Sequence, residues 1–156
     1  MRYICPLLVV ENMEKSRYFY ETLLEQKVVN DYGENITFMG AFSLHLKSHF
    51  NQLIHKENKP FTNMSDMFEL YFETDDIEKM LSKLKREQLI FLHEINEQPW
   101  KQKVFRVYDY DGHIVEIGES VNTTARRLYQ EGKSIKEIAD TLYLSVENLE
   151  KIIFGE

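Results

Sequence analysis

The sequence predicts an α+β protein made of two βαβββ modules followed by a helical extension. Three observations support this fold class. Residues 1–47 show a strand, a helix and three short strands, the same order returns at residues 68–119, and helical spacing dominates residues 121–156. Apolar residues alternate in strands and recur every three or four positions in helices. A repeated unit usually buries its apolar face against its copy, so we expect paired modules that form a cleft.

The first module begins with an apolar strand at residues 3–10. Asn12 is then placed to cap a helix whose apolar positions continue to Leu24. Three short strands are expected next, near residues 27–32, 36–39 and 42–47. Residues 48–67 are polar and are expected to form a linker between the modules.

The second module repeats this order. A strand is predicted at residues 68–73, and Asp75 or Asp76 can cap a helix with apolar positions from Ile77 to Leu84. Strands are expected at residues 90–94, 104–108 and 114–117, with a hairpin turn at Asp111-Gly112. The modules together form a domain at residues 1–120.

The extension shows three short helical patterns, at residues 124–131, 134–142 and 145–153. Ser134 and Glu137 have the spacing of a capping box. The string at residues 132–142 resembles the first helix of a helix-turn-helix motif. Residues 122–156 contain five Lys/Arg and six Asp/Glu, a net charge of −1, which would oppose binding to phosphates. We therefore expect these helices to pack on the modules or on a partner subunit rather than on DNA.

Composition excludes several classes of protein. The 156 residues are 43% hydrophobic and 29% charged, which is incompatible with collagen-like or disordered chains. The longest apolar run, at residues 4–10, is too short to span a bilayer, and acidic residues follow it where a secretory signal would continue. A single cysteine, Cys5, allows no intrachain disulfide, so a cytoplasmic location is expected. The net charge of −7 makes nucleic acid an unlikely partner.

Alternation along the strands gathers polar side chains on one face of each sheet. These are His45, Glu69, Tyr71, Arg106, Tyr108 and Glu116. If the two sheets curve toward each other, these side chains converge in one cleft. The repeat aligns Cys5 with Glu69 and His45 with Glu116, so four side chains able to ligate a metal occupy symmetric positions.

Plainer interpretations exist for the same residues. A polar face of an antiparallel sheet is often simply solvated. Cys5 in an apolar run can be a small buried residue, and Arg106 can pair with a carboxylate such as Glu69 or Glu116. Trp100 can serve packing or form the rim of a ligand site. The histidines outside this face are expected at the surface: His49, His55, His93 and His113.

Three segments resemble the vicinal oxygen chelate superfamily, which contains glyoxalase-type lyases, extradiol dioxygenases and bleomycin-resistance proteins. Residues 8–20 resemble the opening of its first module, residues 72–76 the start of its second, and residues 108–116 its closing hairpin. The resemblance covers about residues 3 to 119. It implies a cleft for a small-molecule ligand and, commonly, a homodimer.

The resemblance also implies a metal site. In metal-dependent members the ligands lie on the first and last strands of each module, and these positions are here Cys5, His45, Glu69 and Glu116. Glyoxalase-type members usually have histidine at the position of Glu69, and histidine or glutamine at that of Cys5. Extradiol dioxygenases require two histidines and one carboxylate. One histidine and two glutamates could still hold a divalent ion such as Zn, Ni, Mn or Mg.

By this resemblance we expect metal-assisted lyase or isomerase chemistry through an enediolate, on a substrate with adjacent oxygens. Glu69 or Glu116 would move the proton as the catalytic base. Substrate would be bound by Arg106, Tyr71, Tyr108 and Trp100. The alternative is a non-catalytic ligand-binding or antibiotic-sequestering protein of the bleomycin-resistance type, which needs no metal. A DNA-binding regulator is a third and weaker interpretation.

Overall fold

A computed structural model describes residues 4–53 and 65–155, with side chains in the second stretch described from residue 68. Residues 54–64 of the expected linker, with His55 among them, therefore lie outside the described residues. The chain forms two compact units, Met1–Glu69 with Tyr108–Ile114, and Leu70–Val107 with Val115–Glu156. The helical extension belongs to the second unit.

The first sheet has four strands in the order β1-β4-β3-β2. β1 pairs with β4 in parallel, and the other pairs are antiparallel. The strands are β1 (Leu7–Val10), β2 (Val28–Asp31), β3 (Asn35–Phe38) and β4 (Ser43–Leu46). A short helix, α2 (Lys47–Leu53), follows β4 directly, so the predicted linker begins with a helix.

The second sheet repeats the first, because its order is β5-β8-β7-β6. Its strands are β5 (Ser65–Thr74), β6 (Phe91–Glu97), β7 (Lys103–Tyr108) and β8 (His113–Glu119). The helix between the first two is α3 (Ile77–Leu84). Two sheets with the same strand order and one helix after each first strand confirm the predicted α+β fold with paired βαβββ modules.

The module helices begin at the predicted caps. Asn12 Oδ1 accepts a hydrogen bond from the Lys15 amide at 3.0 Å at the start of α1 (Met13–Arg17). Asp76, rather than Asp75, caps α3 through the Lys79 amide at 3.0 Å. The first helix continues beyond α1 as a π-helix at Tyr18–Leu23, a change of winding that apolar spacing does not predict.

Three helices follow β8, namely α4 (Val121–Gln130), α5 (Ile135–Leu142) and α6 (Val146–Phe154). They share a small apolar core of Ala125, Leu128, Ile138, Ala139 and Leu149. The predicted capping box is present, since the Ser134 hydroxyl accepts from the Glu137 amide and the Glu137 carboxylate accepts from the Ser134 amide. Of the helices in the described chain, none is long and apolar enough to cross a bilayer.

A buried carboxylate fixes α4 to the second sheet. Glu119, at the end of β8, is 3% exposed. Its carboxylate accepts two hydrogen bonds from Arg127 on α4, from Nε at 3.1 Å and from Nη2 at 2.9 Å. It also accepts from the Thr124 hydroxyl at 3.2 Å and the Lys103 amide at 3.1 Å. The predicted packing of the extension on a module is therefore realised within the second unit.

In the first unit, the closing hairpin is tied to the first helix by aspartates. The buried Asp109 accepts from the Tyr20 hydroxyl and from His113 Nδ1, each at 2.8 Å. Asp111 accepts from the Ser16 hydroxyl at 2.9 Å. His113 is thus not the surface residue that the sequence predicted. Burial acts to lower the pKa of His113, but the hydrogen bond and charge of Asp109 outweigh it and the pKa is raised above its ordinary value.

We predict that this histidine makes the stability of the fold depend on pH. A raised pKa means that the folded state favours the imidazolium, so the stabilisation is complete below the unfolded pKa of 6.5 and is lost as pH rises through the higher folded pKa. The free energy of unfolding in urea should therefore fall as pH rises above 6.5, the ordinary pKa of the imidazole. His113→Asn, which does not titrate, should reduce this slope, and identical slopes for both proteins would contradict the assignment.

Candidate functional site

Several of the predicted polar-face residues are buried. His45 is 7% exposed and Glu116 is 6% exposed, although each lies at a polar position of its strand. Ser43, on the same face of β4 as His45, is buried as well. The interpretation of this face as simply solvated is therefore wrong for His45, Glu116 and Ser43. Glu69 differs, because its side chain is exposed.

His45 bonds to a histidine that sequence reasoning placed at the surface. His45 Nε2 lies 2.9 Å from Nδ1 of His49 on α2, and His49 Nδ1 lies 3.6 Å from a Glu34 carboxylate oxygen. Burial, followed by the charge of His49, lowers the pKa of His45. His45 is thus held toward its neutral form, with its Nε2 already engaged by a neighbour within the first unit. No sequence pattern predicted this contact, because His45 lies on β4 and His49 on α2, so the four-residue spacing of a helix does not apply.

Cys5 is half-buried beside β4. Its Sγ lies 3.4 Å from the Ser43 hydroxyl, which in turn lies 2.9 Å from the Thr37 hydroxyl. These contacts fit the interpretation of Cys5 as a small packed residue with a weak hydrogen bond.

Glu116 forms an ion pair with Arg106 inside the second unit. Arg106 Nη1 also lies 3.2 Å from Nε2 of His93. The simpler prediction for Arg106, pairing with a carboxylate on a neighbouring strand, is confirmed. A guanidinium therefore already compensates the charge of Glu116, and it would repel a divalent cation at the same carboxylate.

The described donor side chains do not fit a metal ion. Among residues 4–53 and 65–155, no group of three or more His, Cys, Asp or Glu side chains is arranged to hold one. The ligand set of Cys5, His45, Glu69 and Glu116 gains no support from this arrangement and stays a prediction of the resemblance. The roles of Glu69 and Glu116 as catalytic bases stay predictions as well.

A cavity of about 360 Å³ opens within the second unit. Tyr71 and Trp100, two of the four residues predicted to bind substrate, lie together in its wall, whereas Arg106 and Tyr108 are not among its lining residues. The described residues that line it are Tyr71, Glu73, Trp100, Gln102, Val121, Thr124, Thr141, Leu142 and Tyr143. We call this cavity the tail pocket, because five of these residues belong to α4, α5 or the residue after α5.

A chain of hydrogen bonds fixes the sheet side of the tail pocket. Trp100 Nε1 donates to Gln102 Oε1 at 3.0 Å, and Gln102 Nε2 donates to the Tyr71 hydroxyl oxygen at 2.5 Å and the Glu119 carbonyl at 2.6 Å. The Tyr71 hydroxyl donates to Glu73 at 2.9 Å. Burial is the main cause that raises the pKa of Tyr71, so it stays a donor at neutral pH. Sequence reasoning missed Gln102, whose position just before β7 carries no pattern.

Tyr143, one of the five lining residues of the helical extension, has an unusual backbone conformation. Its φ is +55°, in the left-handed region, at a helix end where glycine is usual. A non-glycine residue there costs about 1–2 kcal/mol. Its side chain is 91% exposed, so core packing does not explain the choice of tyrosine. Strain of this kind is often kept at functional sites.

A comparison with models of protein families identifies the family of this chain. The model of the glyoxalase-like domain matches residues 3–122, and the chain belongs to that family. This confirms the resemblance to the vicinal oxygen chelate superfamily. The match ends at the start of α4, so α5, α6 and Tyr143 lie beyond it. A comparison with proteins of curated function returns no match.

Solved structures show the same fold. A protein of unknown function from Agrobacterium tumefaciens is 30% identical, with a TM-score of 0.67 over 77% of this chain and 94% of that one. Lactoylglutathione lyase from Agrobacterium tumefaciens is 16% identical, with a TM-score of 0.55 over 77% and 95%. The fosfomycin resistance protein FosX from Mesorhizobium loti is 12% identical, with a TM-score of 0.55 over 76% and 92%.

Gly118 gives a structural test of the tail pocket. A Cβ atom at this glycine would lie 3.0 Å from Gln102 Nε2 and 3.2 Å from Tyr71 Cε2. We expect Gly118→Ala to displace this hydrogen-bonded pair and to lower the free energy of unfolding by about 1–3 kcal/mol in urea titrations. Gly40→Ala is the matched control, because the nearest atom to its Cβ would be 3.7 Å away. Equal effects of the two substitutions on the free energy of unfolding would contradict the close approach of Gln102 and Tyr71 to Gly118.

Proposed function

We propose that this protein binds a small organic molecule in the tail pocket without the help of a metal ion. This is the non-catalytic alternative that the sequence left open, with the binding site moved toward the helical extension. The observation that carries the proposal is the meeting of Tyr71, Trp100 and Gln102 in one cavity of about 360 Å³.

The tail pocket has the properties expected of a ligand site. Its volume falls in the range of about 300–1,000 Å³ typical of small-molecule pockets. Its walls combine aromatic and aliphatic side chains with a few fixed polar groups, and Gln102 is held by Trp100, Tyr71 and a backbone carbonyl. Such preorganisation lowers the entropic cost of binding.

The ligand is expected to differ from those named for two of the fold relatives. Lactoylglutathione carries carboxylates and fosfomycin carries a phosphonate. In the described part of the chain, the lining residues of the tail pocket include one carboxylate, Glu73, and no lysine or arginine. An anionic molecule would therefore meet repulsion there without a compensating cation.

Metal-assisted lyase chemistry has weaker support. It requires Glu116 as a ligand or base, and the Arg106 ion pair already occupies that carboxylate. A homodimer and a cytoplasmic location stay predictions. The expectation that the protein does not bind nucleic acid also stays a prediction. It is supported by the exposed carboxylates of Glu147 and Glu150 on α6, and by the hydrogen-bonded ion pair between Lys151 and Glu147 at 2.6 Å.

The single tryptophan provides a direct binding assay. Trp100 is the only tryptophan in the sequence, so its fluorescence reports on the tail pocket alone. We expect a panel of metabolite-sized cations, neutral aromatics and organic anions to contain compounds that change this fluorescence saturably and raise the melting temperature. Gly118→Ala should weaken these responses and Gly40→Ala should not. A panel with no saturable response would overturn the proposed function.

Metal analysis tests the competing enzyme. We expect untagged protein to contain well below one equivalent of Zn, Ni, Mn or Mg, and EDTA to leave ligand binding unchanged. Glu116→Gln should leave the metal content as it is. One equivalent of bound metal that is lost in Glu116→Gln would restore the metal-assisted reaction as the leading interpretation.

A further inference from the structure

Resting on the proposed function, we infer that the tail pocket selects an organic cation, a quaternary ammonium or a protonated amine. Three aromatic side chains, an adjacent carboxylate and a wall whose side-chain donors are mostly engaged within the protein define this preference together. The site depends on residues of the helical extension, which lies beyond the family match.

The three aromatic residues come from separate parts of the second unit. Tyr71 lies on β5, Trp100 precedes β7 and Tyr143 follows α5. Tyr71 and Trp100 are each 46% exposed, and Tyr143 is 91% exposed, although all three line the same cavity. Aromatic rings that are not buried in the core can attract cations, because the face of the ring carries a negative potential.

Charge adds to the attraction of the rings. Glu73 lies in the pocket wall, and its carboxylate accepts from the Tyr71 hydroxyl at 2.9 Å. Among the residues that the structure describes, no basic side chain lines the cavity to neutralise it, and the formal net charge of the whole chain is −7. A cation therefore gains both a ring face and a carboxylate in one place.

The hydrogen-bond donors of the wall are already used inside the protein. Tyr71, Trp100 and Gln102 donate to Glu73, Gln102 and the Glu119 carbonyl respectively. The hydroxyls of Thr124 and Thr141 donate to Glu119 and to the Glu137 carbonyl. Among the lining side chains, five of the six donor groups are thus committed to protein acceptors. An anion would find few N–H or O–H groups to receive it, whereas a quaternary ammonium needs none.

Choline and its neutral carbon analogue, 3,3-dimethylbutan-1-ol, test the inference, because they share shape and differ in charge. We expect choline chloride to change Trp100 fluorescence saturably, measured against equal sodium chloride. The neutral analogue should bind about tenfold more weakly. Equal affinities, tighter binding of the neutral analogue, or no saturable choline response would each overturn the cation preference. Binding of other compounds in that case would leave the proposed function standing.

Matched variants assign the effect to the tail pocket. Glu73→Gln should weaken choline about fivefold and leave the neutral analogue unchanged, while Glu150→Gln, on exposed α6, should change neither. Tyr143→Leu should weaken choline about threefold, with Tyr32→Leu in the first unit as its control. An unchanged choline affinity in both pocket variants would overturn the assignment.

A third variant separates binding from folding. Tyr143→Gly relieves the left-handed backbone, so the protein should unfold at an equal or higher temperature while binding choline more weakly. Retained affinity in this variant would show that Tyr143 has no part in binding and would overturn its role.

Discussion

The buried pairing of Glu119 with Arg127 is the constraint on which the second unit depends. A carboxylate that is 3% exposed requires a compensating charge and several hydrogen bonds, and Arg127 on α4 supplies both. Arg127 Nη2 also donates to the Lys101 carbonyl at 2.6 Å, which joins α4 to the loop that carries Trp100. Once α4 is fixed, its shared core with α5 and α6, against which Leu142 and Leu144 pack, holds the segment that carries Tyr143. The Glu119–Arg127 ion pair thus links the second sheet to the helices that line the tail pocket.

The same unit contains a second ion pair with a different consequence. Arg106 compensates Glu116 at the position where the superfamily resemblance places a metal ligand. An arginine at that carboxylate supplies the positive charge that a divalent ion would otherwise provide, without its Lewis acidity. This ion pair is therefore a reason to propose ligand binding rather than metal-assisted chemistry for this chain.

Local patterns predicted most of the fold, because they depend on neighbours in sequence. The caps at Asn12 and Ser134, and the repeated strand order, follow from side-chain reach and alternation. Two residues of the candidate site, Tyr71 and Trp100, were named from the sequence, and they share a cavity, while their role in substrate binding stays a prediction. Gln102 and Tyr143 were missed, because their roles arise from contacts between segments distant in sequence, which periodicity does not encode. The π-helical turn has no sequence signal that we can name.

In the proposed site, the second sheet and the helical extension form two walls of one cavity. Nuclear Overhauser effects from the equivalent methyl protons of bound choline test it most directly, because the single indole of Trp100 gives an unambiguous resonance. We expect cross-peaks from these methyl protons to both the Trp100 indole and the Tyr143 ring. Cross-peaks to the indole alone, with none to any residue of α4, α5 or Tyr143, would contradict it.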